Sequence, residues 1–97
     1  MKLEVCGRDT YLYTAGRPLD AALPCVVFIH GGDQDHSAWS LQSRYFAHHG
    51  RNVLAPDLPG HGRSAGPPAA SIETLADWVA SLCDAAHVQH ASVVGHS

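Results

Sequence analysis

The chain has 97 residues, 45% of them apolar and 15% charged, with a net charge of −3. That length holds one domain, and the apolar content fits a globular protein rather than a disordered one. Its six basic residues form no cluster, which leaves nothing for nucleic acid or an anionic membrane surface to grip.

The N-terminal stretch Met1-Lys2-Leu3-Glu4-Val5 lacks the apolar centre of a signal peptide. No apolar run approaches the roughly 18 residues of a membrane span. The default location is therefore the cytoplasm. Cys6, Cys25 and Cys83 are odd in number and show no Cys-x-x-Cys spacing, which argues against a disulfide framework. Cys25 and Cys83 sit in apolar runs and read as small core residues.

Leu3 to Cys6 and Tyr11 to Thr14 are short, partly apolar runs, and Gly7-Arg8-Asp9 between them predicts a turn, so the pair reads as a hairpin. A loop bounded by Pro18 and Pro24 follows. Cys25 to Ile29 is continuously apolar and rich in β-branched residues, as expected of a strand buried on both faces of a parallel sheet. It runs into His30-Gly31-Gly32 and the polar stretch Asp33 to Ser37. A helix is predicted over about 38–49, capped by Ser37, with Trp39, Leu41, Tyr45 and Phe46 as its apolar content. Gly50 stands just past its end, and His48 and His49 lie in its last turn.

Asn52 to Ala55 is the next strand, followed by a Gly- and Pro-rich loop, Asp57-Leu58-Pro59-Gly60-His61-Gly62-Arg63-Ser64, that continues through Pro67-Pro68. Ser71 caps a second helix with Glu73 in its first turn. Its apolar stripe is Ile72, Leu75, Ala76, Val79, Leu82, Cys83 and Ala86. Ala91 to Val94 is the last strand and feeds Gly95-His96-Ser97. After the hairpin the order is strand, helix, strand, helix, strand, which implies right-handed crossovers and a mostly parallel sheet with helices on both faces. No internal repeat or domain boundary is visible, so residues 1–97 read as a single domain.

In open α/β sheets the functional loops gather at the carboxyl ends of the strands. Three such ends carry suggestive residues: His30-Gly31-Gly32, Asp57 to Ser64, and Gly95-His96-Ser97. The last is the first half of Gly-x-Ser-x-Gly, a sharp strand-to-helix turn that strains the serine's backbone and needs small flanking residues. Gly95 is the first of these.

Taken together, the three loops resemble those of the α/β-hydrolase fold family: an oxyanion loop, an Asp-x-x-Gly-x-Gly-x-Ser turn, and a nucleophile elbow, in that order. The resemblance covers the whole chain, which reads as the N-terminal part of such a domain, incomplete at its C-terminal side. It implies a sheet ordered 1-2-4-3-5 with the second strand antiparallel. It also implies roles. Ser97 would be the nucleophile, with Gly95 and His96 shaping the elbow. The backbone N–H of Gly32 would be one oxyanion donor, with His30 and Gly31 supporting its loop. The second donor follows the nucleophile, and the acid and the base come later still, so all three lie beyond these residues. On that reading the 97 residues alone are inactive. The implied reaction takes a small-molecule acyl substrate and needs no cofactor.

Several residues have a plainer reading. Asp57 is weighed as a triad acid, but the family places that acid after the nucleophile, and a turn-stabilising role is preferred. Asp33, Asp35 and His36 form a possible metal cluster whose spacing matches no zinc or calcium pattern, so a solvated loop is preferred and no metal is expected. His96 reads as a packing residue rather than the base, and His61 as structural. Gly60 and Gly62 are expected to adopt backbone angles other residues avoid. Arg63 either meets a partner carboxylate or is solvated. His48, His49, His87 and His90 read as surface residues. A serine at the elbow argues against the dehalogenase and epoxide-hydrolase chemistries, which the family runs through a carboxylate. Ester or thioester hydrolysis, acyl transfer, carbon–carbon hydrolysis and perhydrolysis stay open, as does a binding or receptor protein on the same fold.

Overall fold

A computed structural model describes residues 1–95. Strands β1 (Lys2–Val5), β2 (Arg8–Tyr13) and β3 (Cys25–Ile29) come first, and a short 3-10 helix (His36–Trp39) leads directly into α1 (Ser40–His48). Then follow β4 (Asn52–Pro56), α2 (Ile72–Ala85) and β5 (Ala91–Gly95). The five strands form one sheet in the order β1-β2-β4-β3-β5. β2 runs antiparallel to both β1 and β4, while β3 is parallel to β4 and β5. This is the expected α/β sheet, with the second strand as its antiparallel member.

β3 and β4 are buried at every position because the sheet is covered on both faces. Val27, Ile29 and Leu54 pack with Leu12, Trp78 and Leu82 on the α2 side. Val26, Phe28, Val53 and Ala55 pack with Ala47, Trp39 and Phe46 on the α1 side. Phe28 and Trp39 stack with ring centroids 4.9 Å apart. Cys25 lies in the first cluster with Cys83 packed against it, and both thiols are free. Burial pushes the Cys25 thiol up to about 11, with the neighbouring Cys83 adding to the effect.

The local boundaries depart from expectation in four places. The hairpin turn is Cys6-Gly7, not Gly7-Arg8-Asp9, and β2 begins at Arg8. Cys6 and Gly7 have φ of 52° and 76°, the backbone of a two-residue type I′ turn, whose twist matches the strands it joins. The first helix is capped by Asp35 rather than Ser37. The Asp35 carboxylate accepts the Ser37 N–H at 2.9 Å and its hydroxyl at 2.5 Å, so a stronger acceptor two residues upstream takes the cap and turns Ser37 into a donor. The buried stripe of α1 is made by Ser43 and Ala47, whereas Leu41 and Tyr45 are 73% and 58% exposed. In α2, Ile72 is 80% exposed and Ala76 is exposed, because the helix turns Leu75, Trp78, Val79 and Leu82 toward the sheet.

The ends of both helices follow the same physics. Gly50, at φ 80°, lets the Arg51 N–H reach back to the Phe46 carbonyl at 3.2 Å. His87 takes the equivalent left-handed position after α2, at φ 59°, and the Val88 N–H meets the Cys83 carbonyl at 2.8 Å. Ser71 caps α2 as expected, accepting the Thr74 N–H at 3.1 Å. No helix of the described residues is long and apolar enough to cross a membrane.

Candidate functional site

The loops after β3 and β4 emerge side by side at the carboxyl end of the sheet. The β3–β4 register pairs Val27 with Leu54, and carried on three residues it sets His30 beside Asp57. His30 is buried, and its Nε2 accepts the Leu58 N–H at 3.0 Å. An imidazole nitrogen that accepts carries no proton, so Nδ1 holds it and donates to the Gly31 carbonyl at 2.7 Å. Gln34 closes the turn from the other side. Its side-chain oxygen accepts the Gly31 N–H at 2.9 Å, and its own N–H reaches the Gly31 carbonyl at 3.3 Å.

Gly32 sits at the exposed crest of this turn, with open space where a Cβ would stand. Among the described residues no acceptor meets its N–H. Asp33, at φ 61°, carries the left-handed bend that follows. A cleft of about 570 Å³ opens here, lined by Asp33, Gln34, Asp35, Ser37, Ala38 and Gly62. The Asp35 carboxyl is held below the usual carboxylate range, chiefly by the hydroxyl and N–H of Ser37, with His36 and His30 helping.

The loop after β4 is built around Asp57, which is wholly buried. Its Oδ1 accepts the main-chain N–H of His36 at 2.7 Å and His36 Nδ1–H at 2.8 Å, while Oδ2 accepts the Arg63 N–H at 2.9 Å. Ser64 finishes the turn. Its hydroxyl donates to the Asp57 carbonyl at 2.5 Å and accepts the Tyr11 N–H of β2 at 3.0 Å. A Cβ on Gly62 would lie 2.4 Å from Asp57 Oδ2, so the second glycine is demanded by contact as well as by its φ of 50°. His61 donates from Nδ1 to the Pro59 carbonyl at 3.0 Å, and its ring meets that of His30 at 5.1 Å. The Arg63 guanidinium lies over the Tyr11 ring, 5.0 Å from its centroid.

Donor atoms of Asp35, His36 and Asp57 lie within 4.8 Å of one another, so the cluster considered from sequence re-forms with Asp57 in place of Asp33. Its atoms are occupied by hydrogen bonds: Asp35 with Ser37, and His36 with Asp57.

β5 pairs with β3 in parallel and ends with Gly95 opposite Ile29. The expected nucleophile, Ser97, and its neighbour His96 lie outside the described residues. The site residues therefore divide into His30, Gly31 and Gly32 in one turn, and Gly95 at the end of the adjoining strand. The tie from His36 to Asp57 was missed from sequence. The residues are 21 apart, and only the pairing of β3 with β4 brings them together.

A family profile described as the alpha/beta hydrolase fold matches residues 24–97. The chain belongs to this family. It is 40% identical over 73 residues to a non-heme chloroperoxidase of Streptomyces lividans, covering 74% of this chain and 26% of that protein. It is 37% identical over 81 residues to a bifunctional esterase/perhydrolase of Acinetobacter calcoaceticus, covering 82% of this chain and 29% of that one. Among solved structures, epoxide hydrolase A from Mycobacterium thermoresistibile superposes with a TM-score of 0.86 at 29% identity, over all of this chain and 30% of the other. The chain thus spans between a quarter and a third of the length of these relatives.

Proposed function

We propose that this family member is the N-terminal part of a serine hydrolase that cleaves an ester, thioester or related acyl bond through an acyl-enzyme on Ser97. The observation that carries the reading is the β3–β5 register. Ile29 stands opposite Gly95, so the turn that presents the Gly32 N–H, unpartnered among the described residues, follows the same sheet position that leads into Gly95-His96-Ser97. A nucleophile and an oxyanion donor must flank one carbonyl, and adjacent parallel strands whose ends coincide meet that need.

In the proposed reaction Ser97 Oγ bonds to the carbonyl carbon as a base, supplied by later chain, takes the hydroxyl proton. The carbonyl oxygen becomes an oxyanion that accepts from Gly32 N–H and from the N–H after the nucleophile. The base returns its proton to the leaving group, and water then releases the acyl group by the same steps. Loss of one such donor costs roughly 3–4 kcal/mol of transition-state stabilisation. Base, acid and second donor all lie outside these residues, so the 97-residue segment alone is expected to show no ester turnover. An esterase/perhydrolase among the relatives supports acyl chemistry. A serine at position 97, where the family resemblance implies a carboxylate for epoxide hydrolysis, supports acyl chemistry over epoxide opening.

A fluorophosphonate probe on the full-length protein tests the reading. Covalent labelling that maps to Ser97 and disappears in Ser97→Ala is the expected result. No labelling at Ser97 would favour a binding protein on the same fold.

A further inference from the structure

The oxyanion turn is held at both ends, and both holds fall on consecutive residues of the neighbouring loop. His30 fastens its start to Leu58, and His36 fastens its end to Asp57. Within the turn, Gly31 is closed by His30 and Gln34, while Gly32 has no bond of its own among the described residues. The position of Gly32 is thus set by its two flanking anchors.

The His36 anchor is well supported. It contributes a main-chain and a side-chain donor to the same carboxylate oxygen, and that carboxylate is buried and fixed from its other oxygen by Arg63. The imidazole itself is packed by Tyr11 and Tyr13 of β2, with centroids 4.8 and 5.4 Å away. A ring held by two aromatic neighbours and a charge-assisted bond has little freedom to turn.

We propose that His36 is a positioning residue for the oxyanion turn: its side-chain bond to Asp57 holds residues 31–35 so that the Gly32 N–H keeps its aim. This rests on the serine-hydrolase reading for its kinetic consequence, but the tether itself does not depend on the chemistry. A donor that drifts by an ångström forfeits roughly 100-fold in rate without weakening ground-state binding.

The test uses the full-length protein with p-nitrophenyl acetate as probe and the ¹⁵N order parameter of the Gly32 amide as a second readout. His36→Ala is expected to lower kcat roughly 10- to 100-fold with KM within about twofold, and to lower the Gly32 order parameter from the rigid range near 0.85 to below about 0.7. His36→Asn, whose amide N–H replaces Nδ1–H, restores both. His36→Gln, which places its donor one carbon further out, does not. Should His36→Ala fail to fold, the contrast between Asn and Gln carries the test. An unchanged Gly32 order parameter in His36→Ala, or Asn no better than Gln, overturns the proposal. If Ser97 proves unreactive while Gly32 order still follows His36, the acyl chemistry fails and the tether stands.

Discussion

Gly62→Ala probes the Asp57 hub most directly. Two costs arise at once. The φ of 50° is left-handed backbone, which costs an L-residue about 1–2 kcal/mol. The new methyl would also lie 2.4 Å from Asp57 Oδ2 and 2.6 Å from its Cγ, with no flexible side-chain tip to give way. Asp57 is buried and bonded on both oxygens, so accommodating the methyl breaks at least the Oδ2 bond to the Arg63 N–H. A hydrogen bond to a charged group contributes roughly 1.5–3 kcal/mol, which brings the expected destabilisation to about 2.5–5 kcal/mol. Gly50→Ala is the matched control, since Gly50 has a φ of 80° with nothing within 4 Å of a Cβ and should lose only the backbone part. Urea denaturation of the two variants in the full-length protein separates the terms. Equal losses for Gly50→Ala and Gly62→Ala would refute the idea that the glycine is needed to make room for the carboxylate.

Three further outcomes are expected. Ser43→Ala should raise stability by about 1 kcal/mol, read as a higher urea midpoint, because the Ser43 hydroxyl is buried with no hydrogen-bond partner among the described residues. Leu82→Ala should cost about 2–5 kcal/mol by the same assay, since Leu82 is fully buried, while Ile72→Ala on the same helix, 80% exposed, should stay within about 0.5 kcal/mol. Cys25 keeps its proton in the folded state to about pH 11, against an ordinary value of 9.0. Above pH 9 the unfolded chain therefore binds fewer protons than the folded one, and stability falls as pH rises from 9 to 11. Urea midpoints at pH 8 and 10.5 should diverge more in the native protein than in Cys25→Val.

Much of the fold is visible in the sequence because burial on both faces leaves an unmistakable mark. Cys25 to Ile29 has no polar position to break its apolar run, and its length, β-branched residues and the glycines that follow mark it as a strand sandwiched between helices. The misplaced features have local causes. The expected hairpin turn runs on past Gly7 because Arg8 and Asp9 are polar, yet both pair across the strands, with Val5 and Glu4. Ile72 was placed in the buried stripe because three- and four-residue steps include the first turn of a helix whether or not anything lies beneath it. Ser37 lost its cap to Asp35 because two good capping residues stood two apart, and spacing alone does not say which will donate and which accept.

The candidate site was readable to a different depth at each point. His30, Gly31 and Gly32 are contiguous, so their shared turn was visible from order alone. Asp57 was expected to brace its own turn, and it does so through Arg63. Its second bond, to His36, depends on a fact that no window of sequence contains. β3 and β4 are joined through α1, yet they pair directly and in register from Cys25 with Asn52 onward. Once that register exists, the residues that leave the two strands must share the same few ångströms. A buried carboxylate on one loop then needs donors, and the other loop is the nearest source. The sheet thus converts two separate turns into one braced unit, and the same pairing rule, applied between β3 and β5, brings Gly95 alongside Ile29. A one-residue slip in either pairing would reverse the face each side chain presents. Because β3 is apolar at every position, what opposes the slip is the fit of its side chains, Val27 and Ile29 against Trp78 and Leu82 on one face and Phe28 against Trp39 and Phe46 on the other.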